Sequence, residues 1–141
     1  MDRLIDISSV AHVIQLAVAP VFLLTGIGAI LSVLSTRLAR VIDRYRVLLA
    51  MAEIERIAHK EEMHNLLSRS KWIHWAITLC TVCALLVCIV IAALFIGAEI
   101  GRDPSLLITL LFTAAMLTLI AGLVCFLREI SLAMGVIAQV E

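Results

Sequence analysis

The stretch "LSTRLARVIDRYR", Leu34 to Arg46, decides how the chain folds. It begins inside an apolar run and ends in a strongly charged one, with no glycine, proline or asparagine between. Nothing here stops a helix. A span that reaches Thr36 is therefore expected to leave the bilayer and continue in water.

Upstream of this junction, Ile7 to Thr36 contains no Asp, Glu, Lys or Arg. Downstream, Trp72 to Ala98 and Pro104 to Leu127 are also free of them. Each run exceeds the ~20 residues a helix needs to cross the hydrocarbon core. With no water there to satisfy backbone groups, such runs are helical. The composition agrees: 63% of the 141 residues are hydrophobic and the mean hydropathy is +1.13, whereas soluble domains sit near half apolar. The expected fold is all-α: an integral membrane protein with three transmembrane helices at about 10–36, 73–96 and 105–127. The first run is too long for a signal peptide, and its leading "MDRLID" is not clearly basic.

Net charge is formally zero, so no bulk field steers the chain to nucleic acid. The distribution matters more. Arg37, Arg40, Arg44, Arg46, Arg56, Lys60, Arg69 and Lys71, eight of the eleven basic residues, lie between the first two runs. The positive-inside rule makes this segment cytoplasmic, the N-terminus outside and the C-terminus cytoplasmic.

The charged junction has a period of its own. Leu34, Leu38, Val41, Tyr45, Leu48 and Ala52 follow alternating steps of four and three, the a/d seam of a coiled coil. On the return, Ile54, Ile57, Met63, Leu66 and Leu67 form a weaker stripe. Residues 37–72 are thus expected to form a cytoplasmic helical hairpin, its turn between Ala52 and Lys60. Trp72 and Trp75 mark the return to the membrane. After residue 127 the chain continues as an amphipathic tail, 128–141, with Ile130, Ala133, Met134 and Ile137 on one face. The whole reads as a single membrane domain.

The first run is the least uniform. Ser8 and Ser9 suit its N-cap, and Leu4 and Ile7 can rest at the outer interface. Pro20 removes a backbone donor and is expected to kink the helix. One face collects Gln15, Ala19, Phe22, Gly26, Ala29, Val33, Thr36, Arg40 and Asp43, with Thr25, Gly28 and Ser32 beside it. It is mostly small or weakly polar, which suits helix packing or a pore lining. His12 and Gln15, near the outer end, can mark the mouth of a pathway or bond between helices.

The junction and the return point, "SRSKWIHWAITLCTVCALLVCIVIA", carry a likeness. With the first run, they make the chain resemble a family of small bacterial membrane proteins known as domain of unknown function 2721. The resemblance covers nearly the whole chain. It implies three spans, a helical cytoplasmic hairpin and the bacterial inner membrane; it implies no reaction, substrate or site.

Catalytic motifs are absent: there is no P-loop, G-x-S-x-G or H-E-x-x-H. The chain is expected not to be an enzyme and to carry no cofactor. Cys80 and Cys83 form a C-x-x-C, read as small packing residues rather than a metal pair. His59 and His64 are five apart, poor spacing for one helix face. The cluster Arg37, Arg40, Asp43, Arg44, Arg46, Arg69 and Lys71 admits three readings: snorkelling cations that set topology, contacts to anionic lipid headgroups, or a ring of arginines between subunits. Three spans can hardly enclose a pathway in one subunit. Two functional readings follow. The first is a homo-oligomer forming a channel lined by Gln15, Thr25, Gly28, Ala29, Ser32, Thr36 and Arg40. The second is an accessory subunit docking a protein partner through the hairpin.

Overall fold

A computed structural model describes residues 2–138, with side chains described at 7–135 and 138. The chain is a succession of helices: α1 (Asp2–Leu49), a short α2 (Glu53–Ala58), α3 (Lys60–Ile100) and α4 (Ser105–Ala138). Among the described residues there is no strand. The three long helices are each long and apolar enough to cross a membrane. Leu4 and Ile137 lie outside the described side chains, and 139–141 outside the described residues.

α1 runs through the junction as one helix. Ser8 and Ser9 lie inside it rather than at its cap, because the helix already begins at Asp2. Pro20 sits within it on the buried face without ending it. Every seventh residue is buried: Val13, Pro20, Ile27, Leu34, Val41 and Leu48. A strict spacing of seven keeps one stripe of a helix facing a neighbour. That neighbour is α3, the middle helix, which packs extensively against both α1 and α4. α3 buries Leu66, Ile73, Cys80 and Val87 at the same spacing, and α4 buries Ala115, Gly122 and Glu129.

The seam expected at Leu34, Val41 and Leu48 is therefore filled from within the chain. Leu38 and Tyr45 complete it, half-buried, but Ala52 is exposed beyond the end of α1. The turn has more parts than one loop between Ala52 and Lys60. α1 closes with a tightened last turn, Ala50 N donating to Arg46 O (3.1 Å) and Met51 N to Leu48 O (3.3 Å). The six residues of α2 follow, and a second break at His59 precedes α3. Two small breaks reverse the chain where no glycine or proline marks a single one.

Small residues set the distance between α3 and α4. A Cβ on Gly122 would meet Cys80 Sγ at 3.1 Å and Leu79 Cβ at 3.3 Å. Cys80 and Cys83 are fully buried free thiols in this contact region, which suits their reading as compact packing residues. At the other end Gly101 caps α3 in the left-handed conformation, φ 65°, which glycine adopts without a Cβ penalty. All seven threonines donate their hydroxyls to the carbonyl four residues back, as in Thr25 to Val21 (3.3 Å) and Thr36 to Ser32 (3.0 Å). Hydroxyls satisfied inside their own helix are compatible with lipid.

Candidate functional site: an arginine crevice above a buried carboxylate

Among the described residues Glu129 is the one fully buried acid. It lies on α4 two residues past the apolar run that ends at Leu127. A buried carboxylate is costly unless paired and hydrogen-bonded. Two arginines from two other helices provide this. Arg37 of α1 donates Nη1 to Glu129 Oε2 at 3.0 Å. Arg69 of α3 donates Nη2 and Nε to Glu129 Oε1 at 2.8 and 3.2 Å. Each carboxylate oxygen is held by a different helix. The Arg37 guanidinium also lies over the Phe126 ring, 5.4 Å from its centroid, within cation–π range. Among the described residues no buried side-chain nitrogen or oxygen lacks a partner.

The level of this clamp follows from the sequence. Arg37 is the first charge after the first apolar run, and Arg69 sits three residues before the second. Glu129 therefore ties the three helices together at the border between their apolar and charged parts.

Beyond the clamp, α1 and α3 stay paired. Arg44 forms a two-pronged bond with Glu62, Nε to Oε1 at 2.7 Å and Nη2 to Oε2 at 3.3 Å. The hydrogen bond from Arg44 holds the Glu62 carboxyl below its ordinary value, although desolvation opposes it; the same bond raises Arg44. Between clamp and fork lies a crevice of about 390 Å³, lined by Arg37, Arg40, Val41, Arg44, Glu62, Asn65, Leu66 and Arg69.

The arginines singled out in the sequence thus divide. Arg37 and Arg69 hold Glu129, and Arg44 holds Glu62. Arg40, on the crevice wall, is exposed and makes no ion pair or hydrogen bond among the described residues. Asp43, Arg46 and Lys71 are exposed away from the crevice. The small face of α1 is brought together as expected, but on the outside of the fold. Gln15, Thr25, Gly28, Ala29, Ser32, Thr36 and Arg40 are all exposed, and a Cβ on Gly26 or Gly28 would meet nothing within 4 Å.

Of the other candidates, His12 lines a shallow pocket of about 550 Å³ at the opposite end with Arg102 and Asp103. His59 places Nδ1 2.9 Å from Glu55 O, and His64 is exposed. Among the described residues no three His, Cys, Asp or Glu side chains gather as a metal site. On α4, Ile130 and Ala133 are half-buried while Met134 is exposed.

Sequence reasoning missed Glu129. Two signals point to it: it continues the seven-residue series Ala115, Gly122, Glu129, and it stands level with Arg37 and Arg69. Its partners lie 92 and 60 residues away, so no local pattern shows the pairing.

Among curated proteins and among solved structures nothing matches. A family model matches residues 17–138, a range that includes both arginines of the clamp and Glu129. The chain belongs to that family, described as Protein of unknown function (DUF2721).

Proposed function

We propose that the chain is a multi-pass protein of the bacterial inner membrane that self-associates through the outward face of α1. The N-terminus lies outside; the α1–α3 charged end and the C-terminus lie in the cytoplasm. The carrying observation is the exposed stripe Gln15, Ala19, Phe22, Gly26, Ala29, Val33, Thr36, Arg40 and Asp43, spaced by alternating fours and threes. α1 thus has two seams of heptad period. One is filled by α3; the other is open. Small side chains let helix backbones approach closely in lipid, where packing rather than hydrophobic exclusion drives association. At the charged end, Arg40 of one copy can pair with Asp43 of the next when the copies run parallel around an axis.

In a ring of such copies the stripe would face the axis, with Gln15 near one mouth and Arg40 near the other. This is the channel form of the proposal. The role is non-enzymatic and needs no cofactor.

A second reading has its own support. α2 buries none of its residues, and Ile54 and Ile57 are 84% and 70% exposed. Two bare isoleucines at the tip of a charged helical pair suit a protein partner, as an accessory subunit would use.

Native mass spectrometry in lipid discs tests the proposal. One species of three or more copies, shifted to monomer by Gly26→Leu and Ala29→Leu, supports self-association through this face. Flux in liposomes that disappears with the same variants supports the channel form. A strictly monomeric wild type sinks both and leaves the isoleucine tip as the docking surface to test.

A further inference from the structure

We infer that the crevice between α1 and α3 binds a phosphate monoester. Four guanidinium groups, Arg37, Arg40, Arg44 and Arg69, line it. Two carboxylates oppose them, Glu62 on its wall and Glu129 beneath. Four cations against two anions leave a surplus of two positive charges. A phosphate monoester carries −1.5 to −2 near neutral pH and matches that surplus; a phosphodiester carries only one.

The chemistry of the lining favours an oxyanion. Guanidinium forks match phosphate geometry, and Arg is the residue chosen where planar recognition of phosphate matters. Arg37 uses only Nη1 on Glu129, so its other N–H groups are available. Among the described residues Arg40 has no ion pair or hydrogen bond, and the Asn65 amide adds a neutral donor. Three of the four arginines are already held by carboxylates. They need not be ordered when the ligand arrives, which lowers the entropic cost of binding. A volume of about 390 Å³ is far larger than a halide needs and suits a phosphate with part of its ester.

Two sources fit this chemistry. The crevice starts at Arg37, where the apolar part of α1 ends, so a lipid carrying a terminal phosphate can present it there. It then extends one to two helical turns into the charged end, where a soluble phosphate monoester can enter. The inference needs no second copy, although Arg40 is also the residue that the proposed pairing with Asp43 of a neighbouring copy would use.

The test uses the full chain in discs of phosphatidylcholine. One arm adds phosphatidic acid, a monoester lipid, or phosphatidylglycerol, a diester, and counts retained lipid by native mass spectrometry. The other titrates glycerol 3-phosphate, a soluble monoester with no cationic group, by calorimetry. Binding is expected in at least one arm, and in the lipid arm phosphatidic acid is retained over phosphatidylglycerol. Whichever arm binds, Arg40→Gln weakens it about five- to tenfold. Glu62→Gln removes an opposing charge, releases Arg44 and tightens binding. Arg46→Gln, also exposed but off the crevice, changes nothing. No binding in either arm overturns the inference. So does equal weakening by Arg40→Gln and Arg46→Gln, which is general surface charge. A Glu62→Gln variant that binds no more tightly overturns it as well, and that variant leaves the outward stripe of α1 untouched.

Discussion

Arg69 on α3 reaches Glu129 on α4 with Nη2 2.8 Å from Oε1, and the carboxylate it holds is fully buried. The contact joins residues 60 positions apart. It does so at the border between the apolar and charged parts of the helices, and Arg37 of α1 completes it. A pair of this kind is weak grounds for net stability, because the desolvation of both partners offsets their attraction. Breaking it is a different matter.

Glu129→Gln should destabilise the bundle by about 3 kcal/mol, the lower part of the range for a broken buried pair. The arginines left behind are partly exposed, 37% and 23%, and can turn to water. Arg69→Gln, which removes two bonds to Glu129, should cost more than Arg37→Gln, which removes one. Thermal unfolding in mild detergent, followed by circular dichroism, ranks the three. Equal melting for all three and wild type would show that the clamp holds nothing.

Two glycines should respond in opposite directions to the same change. Gly122→Ala places a methyl 3.1 Å from Cys80 Sγ and 3.3 Å from Leu79 Cβ, forcing α3 and α4 apart at a cost of about 1 kcal/mol. Gly135→Ala meets nothing within 4 Å and gains about 0.5–1 kcal/mol from reduced chain entropy and better helix propensity. Melting temperatures of the two variants, measured side by side, check the contrast.

The Arg44–Glu62 fork should show in the acid limb of stability. Glu62 has its folded value lowered, chiefly by the hydrogen bond from Arg44. Its contribution is therefore present above the unfolded glutamate value of 4.5 and is lost as pH falls through the lowered folded value. Wild type should melt above Glu62→Gln at neutral pH, and the gap should close well below pH 4.5. Both partners are exposed, so the gap is small and shrinks with salt. A gap that persists unchanged at acid pH would mean the fork contributes through packing alone.

Gly101 offers a local test. Its φ of 65° is reached by alanine only with strain, so Gly101→Ala should lower stability by about 1 kcal/mol. Melting against Gly135→Ala, whose Cβ would meet nothing within 4 Å, separates the turn from general glycine effects.

Much of the fold was legible in the sequence. Three charge-free runs gave three long apolar helices, and the absence of any breaker at "LSTRLARVIDRYR" gave a continuous α1. The seam at Leu34, Val41 and Leu48 was legible as a period but not as a contact, since a heptad does not say whether its partner is another helix of the same chain or a second copy. The turn was harder. Met51 to Lys60 carries no glycine or proline, so no residue marks the two breaks in the sequence. The clamp was illegible for a related reason. "REIS" reads as an ordinary polar helix end until α3 and α1 bring Arg69 and Arg37 to the same level.

The clamp is also the last of these contacts that synthesis can complete. The chain emerges from its N-terminus, so Arg37 and Arg69 are made long before Glu129. Until the last helix arrives, two facing cations repel across the α1–α3 pair. The last helix then delivers the single carboxylate that relieves both. Glu129 serves as a completion mark: a chain that stops short of it carries an unrelieved pair of arginines where the apolar and charged parts of the bundle meet.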